Sequence, residues 1–122
     1  MSQPHFSKPK IYEKKWGREL WIHNSSKYCG KILEFDKGKN FSMHFHLIKE
    51  ETWFVLNGKF LMEYYDLENA QRISTQIEEN SVVHIRPGVL HKLTALEDSR
   101  IMEVSTEHFE SDSYRIEPSG NG

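Results

Sequence analysis

The sequence predicts an all-β domain, a sandwich or a barrel built from short strands. Residues that favour turns recur about every eight to twelve positions, a spacing typical of such folds. The clearest turn is the polar cluster DKGKN at 36–40. After it, Phe41, Met43 and Phe45 alternate with polar residues, which is the period of a strand and not of a helix. No segment of helix length shows a helical period.

Each predicted strand is bounded by turn residues. The first two strands flank a turn at 24–26, and the third follows the cluster at 36–40. The fourth and fifth flank Asn57-Gly58, a pair that favours a type I′ hairpin because both central residues of that turn need positive φ. Further strands are predicted along the second half of the chain. In order, the predicted strands are 20–23, 31–35, 41–45, 52–56, 59–65, 72–77, 82–85, 92–96 and 100–106.

Length and charge limit the class of protein. The 122 residues, 37% hydrophobic and 28% charged, suit a single globular domain spanning 1–122. We expect its core at about 20–107 and a partly flexible C-terminal extension at 108–122. The net charge of −2 argues against nucleic acid or an anionic membrane as a partner. A polar start and one cysteine, Cys29, predict a cytoplasmic protein.

Four residues have the types and the spacing of a metal site: His44, His46, Glu51 and His91. Strand positions two apart share a face, so the first two imidazoles can converge on one ion. Glu51 opens the next strand, and a Pro-Gly turn precedes His91. Neutral imidazoles and a carboxylate suit Zn, Fe, Mn, Ni or Co and leave coordination positions open for a substrate. Glu50 is the competing carboxylate, but it has the opposite strand parity.

These residues fall into a pattern that resembles the two conserved motifs of the cupin superfamily. The first is Gly38-x5-His44-x-His46-x4-Glu51-x6-Gly58, and the second ends in Pro-Gly-x2-His91. The resemblance implies a double-stranded β-helix, a jelly-roll barrel, with the two motifs supplying all four metal ligands.

The second motif departs from the family pattern at three positions, none of them a metal ligand. Asn80 stands where that motif usually begins with Gly, Arg86 replaces a common Pro, and Ala95 replaces the usual Asn. We expect Asn80 to serve the turn as Gly does.

Three short segments, 15–19, 79–82 and 101–104, are similar to the cupin domain of type II mannose-6-phosphate isomerases. This narrower resemblance implies chemistry on a sugar or a sugar phosphate, with a small-molecule carbohydrate as the partner.

A hairpin at Asn57-Gly58 would place alternate residues of its two strands on the same face. Glu51, Trp53 and Val55 would then face the interior with Phe60, Met62 and Tyr64. Trp53 and Tyr64 become candidate pocket walls, Trp53 for substrate binding and Tyr64 also for catalysis. The opposite face, apolar at Phe54, Leu56 and Leu61, needs covering by N-terminal strands or by a second subunit. The hypothesis is a homodimer.

Other charged residues are candidates for catalysis and binding. Glu103 lies in an apolar strand, and is either a general base in the pocket or an outward-facing polar residue. Arg86 is a candidate for holding an anionic substrate group, with a solvated surface arginine as the alternative. His84 is ambiguous. The remaining histidines, His108 among them, are read as ordinary polar or core residues.

The leading hypothesis for function is a metal-dependent aldose–ketose isomerase or epimerase. The metal would bind adjacent carbonyl and hydroxyl oxygens, while Glu103, or a free Glu51, moves the proton. A non-haem iron dioxygenase would use the same ligands to activate O₂. The third hypothesis is a sugar-binding or regulatory module without enzymatic activity.

Overall fold

The fold consists of antiparallel β-strands joined by short turns. The computed structural model describes residues 2–117, and within them the chain forms eleven strands and one short 3-10 helix, Glu110–Asp112. The strands are β1 Lys10–Lys14, β2 Gly17–Asn24, β3 Cys29–Phe35, β4 His44–Phe45, β5 Glu51–Asn57, β6 Lys59–Asp66, β7 Gln71–Glu78, β8 Val82–Ile85, β9 His91–Ala95, β10 Ser99–Ser105 and β11 Tyr114–Arg115. Over the same residues, no helix has the length and apolarity needed to cross a bilayer.

Two sheets face each other. One has six strands in the order β1-β2-β3-β10-β5-β8, and the other has five in the order β11-β4-β9-β6-β7. All pairings are antiparallel. From β7 to β10 each strand lies in the sheet opposite to the previous one, the connectivity of a jelly roll. The predicted all-β jelly-roll barrel is therefore confirmed.

The core lies between the sheets because inward and outward residues alternate along each strand. Val55, Phe60, Leu93 and Ile101 are fully buried, and they come from four strands of both sheets. The rings of Trp16 and Phe35 stack with centroids 4.3 Å apart and belong to the same apolar cluster. Polar side chains, the histidines among them, are also buried in the interior.

The predicted strands overlap the observed ones, with one shortened. In place of a strand over 41–45, only His44–Phe45 is extended and paired. Ser42 and Met43 are consecutive and both buried, an arrangement that a two-sided strand cannot provide. The strand prediction missed β1 and β11 altogether.

The prediction of a hairpin at Asn57-Gly58 is wrong. β5 pairs with β10 and β8, whereas β6 pairs with β7 and β9, so the turn carries the chain from one sheet to the other. Gly58 has φ +91°, and a Cβ there would overlap the Ser99 side chain. The inward face drawn from that hairpin is nevertheless right at Trp53 and Phe60, because alternation along each strand does not depend on its partner.

Asn80 has φ +73°, which agrees with the turn role expected of it as a substitute for glycine.

Residues beyond the expected core of about 20–107 also belong to the barrel. β1 and β2 extend the six-stranded sheet, and β11 pairs with β4. The stretch 108–117 therefore packs on the domain, although it was expected as an extension. Residues 118–122, for which flexibility was also predicted, lie outside the described residues.

Candidate metal centre

Three histidines converge in the interior of the barrel. His44 on β4 lies directly opposite His91 on β9, and His46 follows two residues after His44. One ring nitrogen from each of the three lies within 4.8 Å of the others. Nitrogens that bind one ion at about 2 Å lie at most about 4 Å from one another, so the rings need only small movements to share an ion. These three histidines could hold a metal ion.

A backbone carbonyl orients each ring. The Nδ1 atom of His44 lies 2.7 Å from the Ser42 oxygen, and that of His91 lies 2.9 Å from the Val89 oxygen. The Nδ1 atom of His46 lies 2.8 Å from the oxygen of Asp112. A carbonyl only accepts, so Nδ1 carries the hydrogen in each ring and the Nε2 lone pair is free. This is the tautomer that a metal ligand needs.

Glu51 lies beside the three histidines. Its Oε1 accepts a hydrogen bond of 2.6 Å from Trp53 Nε1, and its Oε2 lies 3.4 Å from His46 Nε2. Among residues 2–117, Glu51 Oε2 and His91 Nε2 are buried side-chain atoms without a hydrogen-bond partner. Such orphaned atoms are costly unless something binds them. The donor set, three neutral nitrogens and one carboxylate oxygen, fits a divalent transition metal.

Burial keeps the imidazoles neutral. It lowers the pKa of His44 to about 4 and the pKa of His91 well below its ordinary value, because an imidazolium there would lose its hydration. The pKa of His46 is lowered for the same reason. At neutral pH the three rings therefore keep their lone pairs, and protons do not compete for them.

A second cluster, of buried charges, lies beside the histidines. Lys49 and Glu103 are each 4% exposed or less, and Lys49 Nζ lies 2.9 Å from Glu103 Oε2. Lys31, equally buried, contacts Glu19 at 3.5 Å and lies over the ring of Trp21 at 4.2 Å. The acids and the lysines therefore neutralise each other inside the barrel.

The two buried acids differ in protonation. Burial opposes ionisation of Glu103, but Lys49 and Lys31 outweigh it and lower the pKa of Glu103 to about 2. Burial, and then the negative charge of Glu103, raise the pKa of Glu51 to about 7. Burial likewise disfavours the ammonium of Lys49, but Glu103 and Glu51 more than offset it, so the pKa of Lys49 is raised. At neutral pH Glu103 is thus ionised in the resting protein, and Lys49 is a cation.

Both clusters open into one cavity of about 150 Å³. Among the predicted site residues, the cavity lining includes the three histidines, Glu51, Trp53 and Glu103. The structure does not bring Tyr64 or Arg86 to this lining. Tyr64 is half-buried against the core beside His91, and Arg86 is exposed in the turn before Pro87.

Two other predicted alternatives are located away from the cavity. Glu50 is exposed, and its Oε2 lies 2.8 Å from Nε2 of His84. Since both side chains point outward, the structure gives neither of them access to the histidine cluster.

Sequence reasoning missed several cavity residues. Lys31, Lys49 and Glu19 line the cavity, and so does His108, which was read as an ordinary polar or core residue. Lys31 occupies an inward strand position between buried Cys29 and Leu33. A charge in the inward phase of a strand is the same signal that singled out Glu103, and it was available for Lys31. No local signal marks His108, which reaches the cavity through the path of the C-terminal segment.

A jelly-roll barrel with histidines of two strands gathered in its interior is typical of cupins. A variant of oxalate decarboxylase from Bacillus subtilis has a TM-score of 0.77 with this chain, at 15% identity over 88% of this chain and 30% of its own. The capsular polysaccharide assembling protein CapF from Staphylococcus aureus has a TM-score of 0.75, at 19% identity over 89% and 34%. The Bacillus enzyme has Mn(II) centres. At these identities the likeness shows the fold alone, and the chain spans about a third of either protein.

The chain belongs to the family described as mannose-6-phosphate isomerase C-terminal, whose model matches residues 3–117. The resemblance found in the motifs is thereby confirmed. No curated protein sequence matches this chain.

Proposed function

We propose that this protein is a metal-dependent enzyme that isomerises or epimerises a sugar or a sugar phosphate. The observation that carries the proposal is the position of an ionised carboxylate, Glu103, in the same cavity as the histidine cluster. Either reaction removes a proton from a carbon atom and returns a proton to carbon, so it needs a base beside the atoms that a metal polarises. Membership of the mannose-6-phosphate isomerase C-terminal family supports a carbohydrate as the substrate.

His44, His46, His91 and Glu51 would hold the divalent metal. When bound, the metal would supply Lewis-acid polarisation of a carbonyl oxygen and the adjacent hydroxyl. Its identity among Zn, Mn, Fe, Ni and Co is left to elemental analysis.

Glu103 would carry the proton. In the isomerisation, its carboxylate would remove the proton from the carbon that bears the hydroxyl group and return it to the former carbonyl carbon, while the hydroxyl proton passes to the carbonyl oxygen. Lys49 holds Glu103 in place at 2.9 Å, and Ser105 donates to the same oxygen at 3.1 Å. Trp53 would form part of the wall against which the substrate lies. The predicted roles of Tyr64 in catalysis and of Arg86 in anion binding find no support in the cavity lining.

Proton exchange tests the proposal directly. Metal-loaded protein in D₂O should introduce deuterium next to the carbonyl group of one aldose or aldose phosphate in a panel, and NMR would detect it. Glu103→Gln should abolish this exchange and keep the metal. Glu63→Gln, on the outer face beside Arg72, is the matched control and should retain exchange.

The outcomes separate the alternatives. If the metal-loaded protein exchanges no carbon-bound proton in any sugar, the isomerase proposal is wrong. Oxygen consumption with an iron-loaded sample would then identify the dioxygenase alternative. Sugar binding that survives the loss of His44, without turnover, would identify the non-enzymatic module.

We also propose a homodimer formed through the outer face of the six-stranded sheet, in a cytoplasmic protein. An apolar row crosses five strands of this face in register: Leu20, Ile32, Met102, Phe54 and Val82. Val82 is 65% exposed, and the other four are half-buried. A second copy of the chain would cover this row, because a two-fold axis places the row of one subunit against the same row of the other.

A further inference from the structure

The C-terminal segment 108–117 contains one buried acid that the proposed mechanism does not use. Asp112 lies in the short 3-10 helix and is 3% exposed. Its Oδ1 accepts hydrogen bonds from the amides of Leu47 and Ile48 at 2.9 and 3.1 Å. Its Oδ2 accepts one from the amide of Lys49 at 3.0 Å. The carboxylate therefore binds three successive amides of the loop between β4 and β5.

Asp112 makes a second contact with the same region through its backbone. Its carbonyl oxygen accepts the hydrogen bond from Nδ1 of His46 at 2.8 Å. That contact holds the tautomer in which Nε2 of His46 points at the histidine cluster. One residue therefore determines both the ring orientation of His46 and the path of the loop that follows it.

The loop matters because it separates two members of the cluster. His46 precedes it and Glu51 follows it, so its conformation sets their separation. Lys49, which pairs with Glu103, belongs to the same loop. A change in the backbone at 47–49 would consequently move a nitrogen ligand, a carboxylate and the cation that holds the base.

The segment that carries Asp112 is anchored on both sides. Before it, the His108 amide donates to Asn24 Oδ1 at 2.9 Å. After it, β11 pairs with β4, and the rings of Tyr114 and Phe45 stack with centroids 5.1 Å apart. Asp112 is thereby held in place independently of its own contacts to the loop.

We propose that Asp112 is a positioning residue of the metal centre, through which the C-terminal segment controls how tightly the barrel binds a divalent metal. It does not touch the metal. It acts through His46 and the loop 47–49. The inference rests on the proposed use of the histidine cluster as a metal site.

The test compares Co²⁺ affinities of apoproteins by titration in competition with a chelator, with the Co²⁺ absorption spectrum as a second readout. Asp112→Ala keeps the carbonyl that accepts from His46 but removes the carboxylate that holds the loop 47–49. It should bind Co²⁺ about 10-fold more weakly, the lower end of the usual effect of removing a group that supports metal ligands. Its spectrum should change as the loop moves His46 and Glu51 relative to each other. Asp112→Asn keeps one acceptor oxygen but loses the charge. Its Co²⁺ affinity should therefore lie between those of wild type and Asp112→Ala, at least about threefold below wild type.

Two controls separate positioning from general loss of stability. Ser111→Ala removes an exposed neighbour in the same 3-10 helix and should leave affinity unchanged. Ile77→Ala opens the core at β7, away from the cavity, and should lower the thermal midpoint without changing Co²⁺ affinity or spectrum.

The outcomes of these measurements distinguish failure of the positioning role from failure of the metal site. Wild-type affinity and spectrum in folded Asp112→Ala would overturn the positioning role while leaving the metal site intact. If Asp112→Ala does not fold, Asp112→Asn decides by the same measurement, and unchanged affinity would overturn the proposal. A wild-type protein that binds no Co²⁺ would overturn the metal site itself. If Ile77→Ala loses as much Co²⁺ affinity as Asp112→Ala, the loss of affinity reflects lower stability, and the positioning role is overturned.

Discussion

Replacement of Lys49 by methionine should destabilise the fold strongly although Lys49 is a polar residue. Lys49 and Glu103 are each 4% exposed or less, and their charges lie 2.9 Å apart. Methionine fills a similar volume but leaves Glu103 as a buried carboxylate without its main cation. The substitution therefore tests whether these two charges depend on each other inside the barrel.

The structure sets the magnitude. Removing one partner of a buried ion pair costs about 3–5 kcal/mol, because an uncompensated charge remains. Glu103 keeps the hydrogen bond from Ser105 at 3.1 Å and the field of Lys31, so the lower end applies. We expect a loss of about 3 kcal/mol in the free energy of unfolding. For a domain of 122 residues this lowers the thermal midpoint by about 10 °C.

Urea unfolding of the apoprotein, followed by circular dichroism, measures this loss. The double variant Lys49→Met/Glu103→Met removes both charges and should recover most of the stability, because an apolar pair of similar volume replaces the ion pair. The coupling energy between the two sites should reach about 2 kcal/mol. A single Lys49→Met variant within about 1 kcal/mol of wild type would refute the reasoning, as would additive losses in the double variant.

Three further predictions concern other parts of the molecule. Gly58→Ala should cost at least about 2 kcal/mol in unfolding assays, because it adds overlap with Ser99 to the strain of positive φ. Gly38→Ala is the control, because Gly38 also has positive φ but no described atom lies near its added Cβ; it should cost about 1 kcal/mol. Equal losses in the two variants would show that overlap with Ser99 does not contribute. His46→Ala should lose the stoichiometric metal that elemental analysis finds in wild type, and sub-stoichiometric metal in both would contradict the site. Light scattering at micromolar concentration should give a dimer that Val82→Lys converts to a monomer, whereas a wild-type monomer would disprove the dimer.

Much of the architecture could be read along the chain because side-chain direction in a strand repeats every two residues. That period places Trp53 and Phe60 inside the barrel whichever strands they pair with. The resemblance of the motifs to those of cupins implied that His44, His46 and His91 lie together, and the structure brings them close to one another. Glu103 was singled out because a charged residue in an apolar strand is rarely buried unless it has a partner.

Strand pairing could not be read in the same way. Asn57-Gly58 has the local chemistry of a hairpin, but its two strands lie in different sheets. The interior of the barrel decides this, because β5 gains more by pairing with β10 and β8 while β6 pairs with β7 and β9. Local turn preference, worth about 1 kcal/mol at most per residue, is smaller than the burial of two whole strands.

The sequence by itself determined an all-β fold, because alternation acts over a few residues, and its motifs resembled those of cupins. Only the tertiary structure decided the partners of the buried charges. Lys49 meets Glu103, and Asp112 meets the loop 47–49, across more than fifty positions of chain in each case. Such contacts depend on where distant strands pack, and no local pattern encodes that separation.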